Sequence, residues 1–240
     1  MFRLKLVFKL EESQLPAALE RPVVSFLKAA AQKESQAFFD ELFGSDSPVM
    51  KTYCMSYYLN QARFKGDRIY LGEPGFTMFF SDGNLEELIR FYNAFLKMRN
   101  VPYPLNNNSM TLNYVSIQPL KEIQDREIIV KMLSPLLVRE HDKDSNKDRY
   151  YLYYEEGFAE NLRRNTEYFI KTLGLNLSAA DFSIQPLKGK KVVVPSFGKR
   201  LDGNLGIFKL TGSPELLTVL YASGLGSRRG EGRGAFEIVM

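Results

Sequence analysis

The stretch SPELLTVLYASGLGSRRGEGRGAFEIVM, residues 213–240, runs from a helix through a glycine-rich turn into a last strand. Ser213 followed by Pro214 is typical of a helix N-cap with proline in the first turn, which predicts a helix over 214–223. The apolar residues that follow the glycines predict a strand over 234–240. A helix leading into a strand in this way is typical of the end of a split β-α-β unit.

The preceding residues of the second half complete that unit. Strands are expected over 126–138, 181–195 and 204–211, and a helix over 157–173, from their apolar periodicity. The apolar residues assigned to the inner face of this helix are Phe158, Leu162, Phe169 and Leu173.

The first half of the chain shows the same order of elements. An opening strand over 2–10 alternates apolar and basic residues, and Asp82 or Asn84 can cap a later helix. Leu85, Leu88, Ile89, Tyr92 and Leu96 are assigned to the inner face of that helix. The remaining expected elements are helices over 20–43 and 84–98 and strands over 51–60, 66–80 and 109–118.

These two copies predict an α+β protein. Each copy is expected to be a ferredoxin-like (RRM-like, β-α-β-β-α-β) domain, one over residues 1–120 and the other over 121–240, with a C-terminal glycine-rich loop. The boundary is placed in PLKEIQD, residues 119–125. Because this topology hosts many functions, it does not by itself indicate one.

The composition favours some classes of protein and excludes others. The net charge of +4 weakly favours a polyanionic partner, and nine Lys or Arg against three acids lie between Lys188 and Arg233. The single cysteine, Cys54, excludes an intrachain disulfide framework and a cysteine-rich zinc site. No apolar run approaches the ~20 residues of a membrane helix, and the alternating start is unlike a signal peptide. We therefore expect a cytoplasmic protein without a membrane partner.

The glycine-rich loop is the main candidate binding site. Glycines without side chains let a backbone approach a ligand closely, and their N–H groups can surround an anion. Arginines in the same loop can donate to phosphate oxygens. A flexible basic loop is the alternative, whereas a Walker-type phosphate loop lacks its Gly-Lys-Ser/Thr. The candidate residues are Gly224, Gly226, Arg228, Arg229, Gly230, Gly232, Arg233 and Gly234.

Two motifs together resemble the RAMP superfamily of CRISPR-associated proteins. The helix, the G-x-G-x-basic turn and the glycines before the last strand resemble its C-terminal signature, with Arg233 in place of the usual aromatic residue. KMLSPLLVRE, residues 131–140, resembles a strand of the subgroup that cuts repeat RNA, and a helix with Asn165 follows. The resemblance covers most of residues 126–240.

This resemblance implies a repeat-RNA endoribonuclease. Such proteins bind the repeat of a CRISPR transcript and cut it without a metal ion or another cofactor. The ribose 2′-OH attacks the adjacent phosphate and leaves a 2′,3′-cyclic phosphate and a 5′-OH. The alternative is a non-catalytic or slow repeat-RNA-binding subunit of a CRISPR effector complex. The implied partners are repeat RNA and other effector-complex subunits, and the chain is expected to be a monomer or a homodimer.

Three interpretations of the catalytic residues follow, because relatives often carry a histidine where this chain has Ser45 and Ser47. In one interpretation Lys51 stabilises the phosphorane, at a position where the family often has such a lysine, with Tyr53 or Tyr57 as an orienting hydroxyl. The alternatives are a solvated lysine at a strand end and tyrosines that only pack. In another, His141, the one histidine, substitutes from a charged loop. In the third, the protein binds RNA without cutting it.

Further basic residues are candidate phosphate contacts, with a solvated charged surface as the alternative in each case. One group flanks a strand pair and the other lies on the helix over 157–173. No metal site is expected, since the aspartates after His141 lack EF-hand spacing. The candidate contacts are Lys188, Lys190, Lys191, Lys199, Arg200, Arg163 and Arg164.

Overall fold

A computed structural model describes residues 1–44 and 49–240 of the protein. The first half forms a sheet in the order β3-β6-β1-β8-β7, beside a small outer sheet in the order β2-β5-β4. Its elements are β1 (Phe2–Leu10), β2 (Gln14–Pro16), α1 (Glu20–Glu34), α2 (Gln36–Phe43), β3 (Tyr53–Tyr58), β4 (Arg63–Lys65), β5 (Arg68–Tyr70), β6 (Gly75–Asp82), α3 (Leu85–Met98), β7 (Pro102–Leu105) and β8 (Asn108–Pro119).

The second half forms a sheet in the order β12-β13-β9-β14, together with a separate two-stranded hairpin, β10-β11. Its elements are β9 (Glu127–Met132), β10 (Val138–Asp142), β11 (Lys147–Tyr151), α4 (Phe158–Thr172), β12 (Ser183–Ser196), β13 (Lys199–Thr211), α5 (Pro214–Ser223) and β14 (Phe236–Ile238).

Both sheets have the ferredoxin-like arrangement. When the four main strands of each half are numbered in chain order, their order in the sheet is 2-3-1-4, and every neighbouring pair is antiparallel. The prediction of two tandem ferredoxin-like units is therefore confirmed. The division at residues 120 and 121 stays a prediction.

Alternation along β1 explains how the first core forms. Leu4, Leu6, Phe8 and Leu10 are buried, while Lys5 and Lys9 project from the other face. Because successive strand residues point to opposite faces, one side of the sheet is apolar and packs against the helices. The second half has its own core, which includes Phe158, Leu162, Phe169 and Phe208.

The predicted helix over 20–43 is two helices. Ser35 has an extended backbone, with φ of −163°, and its hydroxyl oxygen accepts a hydrogen bond from Phe38 N at 3.1 Å. Serine favours this capping geometry over a helix interior, so the second helix starts at Gln36. The prediction of one continuous helix was wrong because the apolar period continues across the break.

The prediction of which α3 residues face the core was wrong for three of the five residues named. Leu85, Ile89 and Leu96 are exposed, by 56%, 47% and 39%. The buried residues are Leu88, Phe91, Ala94, Phe95 and Met98. Two apolar stripes share this helix, and the larger phenylalanine side chains occupy the core. Asn84 is the cap, accepting from Glu86 N at 3.0 Å.

No helix in the described parts of the chain is both long enough and apolar enough to span a membrane.

Candidate functional site

The two motifs of the second half are hydrogen-bonded to each other. Gly234 N donates to the Pro135 carbonyl at 3.0 Å, and Ala235 N donates to the Ser134 hydroxyl at 2.9 Å. Ser227 N donates to the Leu137 carbonyl at 2.9 Å. The glycine-rich loop, Gly224–Gly234, is therefore a fixed turn and not a flexible basic segment. SPLL itself lies between β9 and β10, so the strand predicted over 126–138 ends early, at Met132.

The glycines serve close packing and backbone geometry. Gly234 has a φ of +78°, and a Cβ there would overlap the Leu225 carbonyl oxygen. Many of the loop's N–H groups already have backbone partners, including those of Leu225, Glu231 and Gly232. These donors are used inside the protein, so an anion could be bound only by the remaining amides of the loop, and that role stays a prediction.

The loop lies directly on the first half. A Cβ at Gly230 would stand 3.0 Å from Lys51 Cγ, and one at Gly232 would stand 3.2 Å from the Tyr57 hydroxyl oxygen. We call this contact between residues 51–57 and the loop the seam. It brings together two groups of candidate residues that the sequence separates by more than 160 positions.

Lys51 lies at the seam and is half-buried. Its ammonium donates to the carbonyl of Leu42, at the end of α2, and lies 4.8 Å from the centre of the Phe43 ring. Burial lowers the pKa of Lys51, and the charge of Glu87 opposes that shift. A cation at a helix C-terminus is favourably placed. The aliphatic stem of Lys51 lies beside Gly230 of the loop of the other half.

The two tyrosines differ in burial, since Tyr53 is an interior residue and Tyr57 is partly buried. Tyr53 is 1% exposed and stacks on Phe80 with 5.2 Å between ring centres. Burial raises the pKa of Tyr53 far above its usual value. Tyr57 has a buried hydroxyl without a hydrogen-bond partner among the described residues, and burial raises its pKa as well. The expectation that Tyr53 orients RNA is corrected, because its ring belongs to the core.

His141 lies on a strand and not in a mobile loop. It belongs to β10, and its Nδ1 lies 2.9 Å from an Asp148 carboxylate oxygen on β11. Arg139 lies 3.6 Å from the same carboxylate. Burial alone would raise the pKa of Asp148, but the His141 hydrogen bond and Arg139 outweigh burial and lower it. Among the described residues, no hydrogen bond or ion pair joins His141 to Lys51 or Tyr57.

Arg229 is buried, contrary to expectation. It is 7% exposed, and its guanidinium lies 3.6 Å from the centre of the Phe169 ring. Burial lowers its pKa to about 10. A guanidinium in this position cannot reach an RNA phosphate without leaving the core of the second half. Its expected role as an RNA contact is therefore corrected to a packing role.

Arg228 and Arg233 are held by partners within the protein. Arg228 donates to Glu231 at 2.8 Å and to the Tyr150 hydroxyl at 2.9 Å. Arg233 donates to the Pro195 carbonyl at 2.6 Å and lies 4.0 Å from buried Glu20. Both arginines fasten the loop to its surroundings. Their role in RNA binding stays a prediction.

The cations of the β12–β13 hairpin are exposed but do not share one face. The register pairs Lys190 with Leu205 and Lys191 with Asn204, and successive residues point to opposite faces. Lys188, Lys190 and Lys199 therefore project from one face, whereas Lys191 and Arg200 project from the other. Lys191 also pairs with Asp202 at 2.9 Å. A single phosphate track along all five residues does not fit this arrangement.

The arginines of α4 form ion pairs within the helix. Arg163 lies 2.8 Å from Glu160 and 3.1 Å from Glu167, and Arg164 lies 3.0 Å from Glu160. Surface pairs of this kind contribute little stability and can be exchanged for a phosphate. Ser45 and Ser47, at the position of the usual histidine, lie outside the described residues.

Several partners of the loop were missed by sequence reasoning. Glu231 lies three residues after Arg228, so its spacing could have suggested an internal pair. Glu20, which faces Arg233, is 213 positions away, and no local pattern points to it. Asp82 was considered only as a helix cap, yet it is a buried carboxyl beside the seam strand, paired in register with Tyr53.

Comparison with known proteins identifies the family. The model for "CRISPR associated protein Cas6, C-terminal" matches residues 117–238. The chain belongs to the Cas6 family. A CRISPR-associated endoribonuclease-like protein, Cas6nc, of Pyrococcus horikoshii is similar to it, with 25% identity over 166 residues, 68% of each chain.

Solved structures share the Cas6 fold over the whole chain. A Cas6-related protein from Pyrococcus furiosus has a TM-score of 0.85 at 19% identity, with 99% of this chain and 98% of that chain covered. A RAMP protein described as binding different RNA substrates has a TM-score of 0.83 at 20% identity, with both chains fully covered. The Cas6 match spans the SPLL motif and the glycine-rich loop that forms the second-half side of the seam.

Proposed function

We propose that this Cas6 protein binds CRISPR repeat RNA across the seam and cuts within the repeat. The observation that carries the proposal is the position of Lys51. Its aliphatic stem lies beside Gly230 of the second-half turn, and its ammonium lies at the end of α2 on the first half. An RNA strand at the seam would bring a phosphate to this half-buried cation.

The proposed reaction is a metal-independent transesterification. The 2′-OH loses its proton and attacks the adjacent phosphorus, and the 5′-oxygen leaves as a hydroxyl after it gains a proton. The products are a 2′,3′-cyclic phosphate and a 5′-OH end. Lys51 would stabilise the extra negative charge on the phosphorane, the kind of electrostatic contribution that is often large in such sites.

Binding without cleavage is the second candidate function. It is favoured by the burial of Tyr53 in the core and by the pairing of His141 with Asp148. General acid–base catalysis needs a group of suitable pKa within reach of the transferred proton. A protein that relies on positioning and one cation would cut slowly and remain bound to its product.

The experiment uses a labelled CRISPR repeat RNA from the same genome, with the full-length protein in EDTA. Cleavage to a product ending in a 2′,3′-cyclic phosphate supports the first function, and one 2′-deoxy residue at the cut site should abolish it. Salt-sensitive binding without a product supports the second function. Absence of both cleavage and binding would reject the proposal.

The remaining expectations stay predictions. We infer a site in the first half for the reacting phosphate and a supporting role for the second half, in accordance with the division into residues 1–120 and 121–240. Other effector-complex subunits are proposed partners, and a monomer or homodimer in the cytoplasm is the expected form.

A further inference from the structure

A polar cleft lies on the outer sheet, away from the seam. It encloses about 180 Å³ between this sheet and the turn that joins β7 to β8. It is lined by Gln14, Asp67 and Arg68 from the sheet side and by Asn106 and Asn107 of the turn. Amide and guanidinium groups at its edge suit a flat ring with polar edges.

The polar groups of the cleft are held in place. Arg68 Nη1 donates to Gln14 Oε1 at 2.7 Å, which aligns both side chains. Asn108 Nδ2 donates to the carbonyls of Glu12 and Gln14, each at 2.9 Å, and so fastens the turn to β2. Asn106 and Asn107 project from this fastened turn and are exposed. Their amides remain available to a ligand.

The same sheet continues the cleft as a basic, aromatic surface. The register places Gln14 opposite Tyr70, and Tyr70 opposite Arg63. It also places Lys65 opposite Arg68. Directly opposite residues project from the same face of an antiparallel sheet, so the cleft, the Tyr70 ring and three cations lie side by side. Tyr70 is 43% exposed, enough to offer part of its ring to a ligand.

We propose that this face of the outer sheet binds unpaired RNA. One base would enter the cleft, where amide groups can hydrogen-bond to its edge, and the neighbouring base would stack on Tyr70. Arg63 and Lys65 would contact the phosphates. Stacking on aromatic rings beside a cationic track is the general mode of single-strand binding. The site rests on the proposed function only in taking repeat RNA as its natural ligand.

The test measures binding of fluorescein-labelled octaadenylate, octauridylate and repeat RNA to full-length variants. Tyr70→Ala is expected to weaken the preferred octamer on the order of tenfold. The double variant Arg63→Gln, Lys65→Gln should reduce the slope of log affinity against log salt by about 1.4. Phe64→Ala is the matched control, because Phe64 lies on the same strand, is 72% exposed and projects from the opposite face.

Wild-type affinity for the octamers in both Tyr70→Ala and the double variant would overturn the inference, as would octamers that do not bind at all. If the repeat binds but neither variant changes octamer binding, only the outer-sheet site fails. If octamers bind through Tyr70 but the repeat is neither bound preferentially nor cut, the seam proposal fails instead. Thermal melting of each variant confirms that it remains folded.

Discussion

At the residue scale, Lys51 has two roles to separate. Its ammonium satisfies a carbonyl at the end of α2, which is a structural role. Its aliphatic stem lies beside the loop, so the same cation is also close enough to the seam to favour a role in RNA processing. Helix ends leave unpaired carbonyls, so loss of the side chain also costs some stability. Rate and stability must therefore be measured together.

For Lys51→Ala we expect the single-turnover cleavage rate to fall about 100-fold, the usual scale for losing one transition-state charge contact. Affinity for repeat RNA should change by less than about threefold, because one cation among many contributes little to binding. Lys33→Ala, at an exposed position on α1, is the control and should leave the rate unchanged. A wild-type cleavage rate in Lys51→Ala at unchanged melting temperature would contradict the role.

Asp82 predicts a pH dependence of stability. Burial, with a contribution from Glu87, raises the pKa of Asp82 to about 8, whereas the unfolded value is about 4. A raised folded pKa means that the stabilising contribution is complete below the unfolded value and is lost as the pH rises through about 8. Asp82→Asn should therefore gain stability relative to the wild type by roughly 1 kcal/mol per pH unit over this range.

Urea unfolding at pH 5.5 and pH 8.5 measures this difference. An asparagine at position 82 retains the oxygen that accepts from Asn84 N, so the hydrogen bond that positions the Asn84 cap is preserved in the variant. If the unfolding free energies of Asp82→Asn and the wild type differ by the same amount at both pH values, Asp82 is ionised in the folded protein and the prediction is wrong.

At the scale of elements, the glycine-rich loop depends on Gly234 for two reasons, its positive φ and the nearby Leu225 carbonyl. Gly174 offers a matched control, since its φ is +64° and a Cβ there would meet no atom within 4 Å. We expect Gly174→Ala to cost about 1 kcal/mol of unfolding free energy and Gly234→Ala at least about twice that. Equal costs, measured by urea unfolding, would show that the overlap is relieved without loss.

The element order was predictable because alternation and caps act locally. The strand Phe2–Leu10 and the helix Pro214–Ser223 were predicted with the bounds that the structure has, the latter from its Ser-Pro start. The predicted helix over 20–43 is interrupted at Ser35, although its apolar periodicity continues across that residue. In α3 the phenylalanines are buried, whereas Leu85 and Ile89, which were assigned to the inner face, are exposed. Competition between two apolar faces is decided by tertiary packing, which a local pattern does not contain.

The candidate site was predictable only in its composition. The sequence singled out the loop and Lys51, and the structure places them against each other. The packing of Arg229 on Phe169 could not be predicted from the local sequence, because Phe169 lies on a helix 60 residues earlier in the chain. The arginines suggested phosphate binding from their residue type alone, whereas their partners inside the protein come from distant segments.

At the scale of the whole molecule, polar contacts hold the two halves together around the seam. Arg3 of the first half pairs with Glu237 of the second at 2.8 Å, and Arg233 of the loop lies 4.0 Å from Glu20 of the first half. The seam is therefore a fixed junction in which the first half supplies Lys51 and the second supplies the loop. We propose that repeat RNA binds across this junction.

Equilibrium binding of labelled repeat RNA, measured against salt concentration in EDTA, tests that claim most directly. We predict tighter binding than to a scrambled RNA of equal length, with log affinity falling by about 0.7 for each phosphate contact per log unit of salt. The variant Lys188→Gln, Lys190→Gln, whose side chains share one hairpin face, should lower that slope by about 1.4. Equal affinity for repeat and scrambled RNA, or binding that salt does not change, would contradict the account.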